Sequence, residues 1–275
     1  SLQRAKILSK IIKKFSPDII VSFCSPEAAR VSYGLGMQHI CFSDSPHAKA
    51  VMRLVIPLVQ KLLIPWIIPK KEFTKFGIHT KDIIHYKAID AAVITKRKIL
   101  KNSNKPAKKE KSKTILIRVE EEEASYSSKK RPVVPIIKEI IRNFHNEKIV
   151  IMTRYSSQAR DLAQTFGNKI KILDKAVDGK TLLNSANVFI GSGGTMTAES
   201  ALLGIPTISY NAVPNIIEAY LVRKKLVVRK GNPRQIAISV RKLLDSPNLE
   251  INKRAKKMLD SMEDPYPILL KTIKS

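Results

Sequence analysis

An α/β fold of two Rossmann-like halves is what this sequence predicts, and three observations carry the expectation. Short apolar runs of strand length (18–23, 38–42, 114–119, 148–153, 188–190) alternate with stretches of helical spacing, the order that builds parallel sheets. After the last of these runs stands Gly191-Ser192-Gly193-Gly194, a small-residue turn between a strand and a helix. Residues 96–113 hold nine Lys or Arg against one Glu, with Ser103, Asn104 and Pro106, and read as a linker between two units.

The elements follow in order. Residues 1–15 carry the apolar pattern of a basic amphipathic helix (Leu2, Ala5, Ile7, Leu8, Ile11, Ile12 and Phe15) that Ser16-Pro17 ends. A buried strand at 18–23 leads through Cys24-Ser25-Pro26 to a short helix (27–35), then a strand at 38–42. Ser43 to Ala48 sits at that strand's carboxyl end, where α/β sheets place their sites. Asp44 and His47 there can act as general base and orienting partner, or the segment can be an Asx/Ser cap on the next helix. Residues 51–69 carry three prolines and two basic residues, too broken for a membrane span, and read as a helix then a strand near 62–64. Trp66, Ile67 and Ile68 beside Lys70, Lys71 and Lys75 offer a second reading as a patch for an anionic membrane surface. Residues 85–90 read as a short strand.

In the second half, a strand at 114–119 runs into an acidic loop (120–128), with Arg118 at its end either reaching an anion or pairing with Glu120 to Glu123. Helices are expected at 133–144, 157–166 and 178–186, and strands at 148–153 and 170–173. Beyond the glycine turn, a helix from Thr195 to about Leu203 ends at Gly204, placed for a left-handed cap, and Pro206 blocks continuation. A strand starts at Thr207, another covers 226–228, helices cover 233–244 and 249–262, and 269–273 forms a terminal helix.

Composition bounds the partners. With 275 residues, 44% hydrophobic and 27% charged, the chain can bury a large core. The net charge of +27 raises nucleic acid, an anionic membrane or a polyanionic substrate. The basic residues are spread along the whole chain, without an RNA-binding aromatic motif or a helix-turn-helix, which disfavours nucleic acid. The amphipathic opening is no secretory signal, so a cytoplasmic protein is expected, with peripheral contact at the inner membrane face as the variant. Cys24 and Cys41 read as buried reduced thiols, and the five histidines have no metal-ligand spacing with them. Neither a metal nor a cofactor is expected.

The glycine turn carries the chemistry. Gly193 and Gly194 let the backbone approach an anion, and the helix that follows adds about half a positive charge at its N-terminus. Glu199 lies one turn beyond Thr195 on the same face, placed to accept hydrogen bonds from a ribose. Two phosphate motifs are excluded. Met196 stands where the dehydrogenase fingerprint needs its third glycine, Asn211 stands where its acid falls about 20 residues on, and no Gly-Lys-Ser/Thr is present. The plain alternative is a tight crossover with a solvated glutamate.

Ser192-Gly-Gly-Thr-Met-Thr-Ala-Glu199, followed by Ala-Leu-Leu-Gly-Ile-Pro206, resembles the nucleotide-binding stretch of GT-B-fold enzymes. It is similar to that of the N-acetylglucosaminyltransferase that makes lipid II and, more loosely, of UDP-N-acetylglucosamine 2-epimerase. The run Ile190 to Met196 also resembles a GT-B-like family carried as a domain of unknown function. The resemblance implies two Rossmann-like lobes facing a cleft, the first lacking its opening strands. Their bounds are 1–95 for the first lobe, 96–113 for the linker, 114–262 for the nucleotide-binding lobe and 263–275 for a tail helix. It further implies a nucleotide-sugar substrate, with Ser192, Gly193, Gly194 and Thr195 on the diphosphate and Glu199 on the ribose; Arg118, at its strand's end, can reach the pyrophosphate or the acceptor. The epimerase spacing puts that acid at Ala198, so the transferase spacing fits better. Asn211 and Asn215, with Glu218, fall where relatives contact the donor sugar. The activity implied is glycosyl transfer to an unknown acceptor, with Asp44 or His47 as base. The alternatives are a nucleotide-sugar epimerase and a binding protein for nucleic acid or membrane.

Overall fold

The computed structural model describes residues 2–97, 112–121, 133–173, 178–210, 212–246 and 248–274. The chain divides into two units: residues 1–90, 215–217 and 262–275 form one, and 91–214 with 218–261 the other.

The first unit opens with α1 (Leu2–Phe15), β1 (Ile19–Ser22), α2 (Pro26–Gly34), β2 (Gln38–Phe42) and α3 (Lys49–Val55). It continues through β3 (Lys61–Pro65), α4 (Lys71–Thr74) and β4 (Ile83–Tyr86). The four strands form one parallel sheet in the order β1-β2-β3-β4. β2 and β3 occupy the middle, so their side chains are buried on both faces, which is why they read as unbroken apolar runs. Ser25 caps α2 by accepting from the Ala28 N–H, and Pro26 sits in the first turn, where it needs no donor. Met52, Val55, Ile56, Leu62, Ile64, Ile68 and Phe73 form the core.

Two readings change here. Ile68 is fully buried and Ile67 packs against the same core, so of the apolar residues in the membrane-patch reading only the half-buried Trp66 stands outside that core. Asp44 and Ser43 do not cap the following helix. It starts at Lys49 with Ala48 as its cap residue and no side-chain cap bond, because Pro46 and His47 add a turn between strand and helix.

α5 (Asp90–Lys96) leads into the second unit. There β5 (Thr114–Arg118), α6 (Val133–Asn143), β6 (Lys148–Met152), α7 (Ser156–Phe166) and β7 (Lys171–Leu173) come first. After them come α8 (Gly179–Asn184), β8 (Val188–Gly191), α9 (Thr195–Leu202), β9 (Thr207–Ser209) and α10 (Ile216–Arg223). β10 (Val227–Arg229), α11 (Pro233–Asp245) and α12 (Leu249–Asp260) complete the series. α10 begins within 215–217, which group with the first unit, as does the tail helix α13 (Tyr266–Ile273). α13 starts at Tyr266 rather than Leu269, because Asp264 accepts from the Tyr266 N–H and Pro267 fits a first turn.

The second sheet is parallel throughout, in the order β10-β9-β8-β5-β6-β7. The chain therefore builds outward from β5 to β7, then returns to the other side of β5 with β8. The crevice between β5 and β8 is the switch point, and α/β sheets bind ligands there, beyond the carboxyl ends of the strands. α6 shows how sequence builds this unit. Val133, Ile136, Ile137 and Ile140 fall at helical spacing on one buried face, each worth about 1.5–3 kcal/mol of burial.

No described helix is long and apolar enough to cross a membrane. Most of the basic linker, 98–111, and residues 122–128 of the acidic loop lie outside the described residues.

Candidate functional site

The second unit gathers its candidate residues at the switch point. β5 and β8 run in register with Ile117 opposite Ile190, so Arg118 ends its strand level with Gly191, where the glycine turn begins. Gly193 and Gly194 both adopt positive φ, +83° and +78°. At Gly193 this is required twice over: an added Cβ would also lie 2.8 Å from the Ala212 Cβ. The turn delivers the chain to α9, whose cap residue Gly194 offers no side chain. Among the described residues the amides of Ser192, Gly193, Gly194 and Thr195 donate to no protein atom. Gly194 and Thr195 are exposed, and Ser192 and Gly193 half-buried. At its other end α9 closes with the Gly204 N–H on the Ala201 carbonyl and the Ile205 N–H on that of Ser200. Gly204 has φ +77°, the left-handed cap that the sequence calls for.

Arg118 ends β5 beside this arrangement. Among the described residues its buried Nε and Nη1 have no hydrogen-bond partner. The described acids that might have paired with it are engaged elsewhere. Glu120 is buried and accepts from the Tyr210 hydroxyl at 2.7 Å; Glu121 pairs with Arg154 at 3.4 Å and accepts from the Tyr155 hydroxyl. Burial, and then Arg154, lower the pKa of Arg118, while Glu199, Glu121 and Tyr210 pull it upward. Glu199 is half-buried, and among the described residues its carboxylate makes no hydrogen bond; its Oε2 would lie 3.8 Å from a Cβ placed on Gly179. Burial raises its pKa and Asp178 adds to that, whereas Arg118 works against both. Arg118 and Glu199 thus share one neighbourhood without bonding to each other, a cation and an acid each left with capacity for a ligand.

Two side chains hold this geometry and carried no role in the sequence reading. Tyr210 donates its hydroxyl to the Arg118 carbonyl at 2.9 Å and its N–H to the Gly191 carbonyl at 2.8 Å, tying the two strand ends together. The buried Gln158 accepts from the Arg154 N–H at 3.0 Å and donates to the Glu120 carbonyl at 3.2 Å. A tyrosine closing an apolar strand gives some signal, and so does a glutamine at the third position of a helix, where it completes a capping box.

The first unit collects its polar residues at the same end of its own sheet. Asp44 accepts from the Ser45 hydroxyl at 2.6 Å, and the Ser43 N–H bonds the Leu63 carbonyl at 3.1 Å. Burial lowers the pKa of His47, with Asp44 acting in the opposite sense, so the net effect favours the neutral imidazole. Beyond β4, Asp90 accepts a hydrogen bond from the Tyr86 hydroxyl. Burial and the neighbouring charge of Asp44 raise the Asp90 pKa to about 7, against the pull of Tyr86. Asp90 was missed because a lone aspartate opening a helix reads as a favourable first-turn charge.

The sugar-binding assignments fare differently. Asn211 lies outside the described residues, and Asn215 is half-buried in the segment that groups with the first unit. Glu218 is buried, accepts from the Ser209 hydroxyl and pairs with Arg229 at 3.6 Å. It anchors α10 to β9 and β10. No group of three or more His, Cys, Asp or Glu among the described residues is arranged to hold a metal.

Residues 1–275 match the family described as "Protein of unknown function (DUF354)". The chain belongs to that family. An uncharacterised protein of Methanocaldococcus jannaschii is 27% identical over 239 residues, 83% of this chain and 68% of its own length. Among solved structures, a UDP-GlcNAc 2-epimerase from Neisseria meningitidis bound to UDP-GlcNAc superposes with a TM-score of 0.68 at 16% identity. It covers 98% of this chain and 79% of that one. A spinosyn rhamnosyltransferase complexed with thymidine diphosphate gives a TM-score of 0.62 at 14% identity, covering 100% of this chain and 77% of its own. These likenesses show the fold: the GT-B-like pair of Rossmann-like units that the sequence resembles.

Proposed function

We propose that the second unit binds the diphosphate and ribose of a sugar nucleotide, and that the protein is a GT-B-type glycosyltransferase. The observation that supports this most is the meeting of three features at the switch point between β5 and β8. They are the partnerless Arg118 nitrogens, the uncapped amides of Ser192 to Thr195, and Glu199 one turn into α9. In glycosyl transfer the bond from the sugar carbon to the diphosphate oxygen breaks, and the oxygen keeps the electron pair. Amides and a guanidinium aimed at that oxygen stabilise the charge as it develops. Glu199 accepts from the ribose hydroxyls. Its neighbour Ala198 is buried, which supports the transferase spacing over the epimerase spacing. Asp44, with His47, takes the acceptor hydroxyl's proton in this reading, and Asn211 and Asn215 bind the donor sugar.

Asp90 favours a second reading. A carboxyl that titrates near neutral pH beside Asp44 can both give and take a proton, as epimerisation at a carbon requires.

Isothermal titration with UDP, GDP, ADP, TDP and their sugars tests the shared part of both readings. Wild type should bind one nucleotide series, and Glu199→Ala should lose about tenfold or more in affinity for it. Absence of heat with every nucleotide ends both. Free nucleotide released only when an acceptor is present marks transfer; an inverted sugar still attached to its nucleotide marks epimerisation.

A further inference from the structure

The two cysteines of the first unit do more than fill space. Cys24 lies two residues past β1, and Cys41 is in β2, where it pairs in register with Ser22. The chain leaves β1 with Cys24 at φ +47°, a left-handed turn that folds it back over the neighbouring strand. In consequence the Cys24 N–H donates to Cys41 Sγ at 3.1 Å, and the Cys41 thiol donates to Cys24 Sγ at 3.3 Å. The flanking residues hold this arrangement, since the rings of Phe23 and Phe42 stack with centroids 5.1 Å apart.

We propose that Cys24 and Cys41 form a peroxide-sensitive dithiol, in which Cys24 is the attacking thiol and Cys41 the resolving one. A disulfide needs its sulfurs at about 2.0 Å, and these two already stand in contact at 3.3 Å. The roles follow from the surroundings. Cys24 is partly exposed, whereas Cys41 is buried. The hydrogen bond from Cys41 is the largest influence lowering the Cys24 pKa; burial, Asp44 and Asp90 oppose it and Ser43 assists. The same pairing raises that of Cys41, which keeps its proton until it is needed.

The chemistry balances with a hydroperoxide as oxidant. The Cys24 thiolate attacks the terminal peroxide oxygen and the O–O bond breaks. The alkoxide or hydroxide leaves with a proton from solvent, so Cys24 becomes a sulfenic acid. Cys41 sulfur then attacks Cys24 sulfur, the S–O bond breaks, and the departing hydroxide takes the Cys41 proton as water. Two thiols and one hydroperoxide give one disulfide, one alcohol or water, and one further water.

Intact mass spectrometry and thiol counting on the full chain test this with hydrogen peroxide and dithiothreitol. The wild type should lose both thiols together and two hydrogen atoms in mass, and regain both on reduction. Cys41→Ala should instead gain oxygen at Cys24, and Cys24→Ala should keep its remaining thiol. On the untreated folded protein Cys24 should react with iodoacetamide at least about tenfold faster than Cys41. Two thiols surviving peroxide in the wild type, or oxygen addition without a linked Cys24–Cys41 peptide, overturns the proposal. Neither result needs the variants to fold.

Discussion

Replacing Arg118 with Met should make the protein more stable and a poorer binder of anions. Methionine keeps most of the aliphatic stem and removes a guanidinium whose Nε and Nη1 are buried with no partner. Leaving such groups unsatisfied costs about 1–3 kcal/mol, and more when they are charged. Against this, the variant forfeits the attraction of Arg118 for Glu199 and Glu121, but it also ends the repulsion with Arg154. Arg118 is half-exposed and solvent screens those charges, so we discount the attraction and expect a net gain of about 0.5–2 kcal/mol. For a unit of this size each kcal/mol moves the melting temperature by about 2–4 °C. Differential scanning calorimetry without ligand should therefore show a rise of about 1–8 °C. Titration calorimetry should show nucleotide affinity reduced by about tenfold to a hundredfold, the value of a charge-assisted hydrogen bond. The combination is the signature of a site that stores an unsatisfied charge for its ligand. A fall in melting temperature together with unchanged affinity would refute it, since Arg118 would then be a structural residue.

Gly193→Ala should cost about 1–2 kcal/mol from its φ of +83°, with the 2.8 Å approach to Ala212 adding to it. Urea midpoints check the stability, and nucleotide affinity should fall too as the turn shifts. For Asp90 the prediction concerns pH. Its folded pKa, about 7, lies above the ordinary carboxyl value of about 3.9, so the unfolded chain ionises first. Its contribution is complete below about pH 4 and is lost as pH rises toward 7. Subtracting the urea stability of Asp90→Asn from that of wild type, pH by pH, should expose a difference that falls over this window and is flat above it. A level difference across the window would mean that Asp90 ionises normally in the fold.

The alternation of apolar strand runs with helical spacing determined the class of fold, and most elements lie within a few residues of where the pattern puts them. α6 and the helix after the glycine turn are good examples, because local periodicity and caps such as Gly204 act within a few residues. The sequence also marked the turn between β8 and α9, through Gly193 and Gly194, which both take the positive φ that a glycine adopts readily. Tertiary structure alone decided that Arg118 Nε and Nη1 have no partner among the described residues, because that depends on Glu120 and Glu121 being drawn away by Tyr210, Arg154 and Tyr155. It likewise decided that Ile68 is core rather than membrane-facing, that Glu218 is an anchor, and that Cys24 meets Cys41. Each depends on which strands lie side by side, and that is set by packing between segments far apart in the chain. A periodic pattern reports only which face of its own element is apolar, not what stands against it.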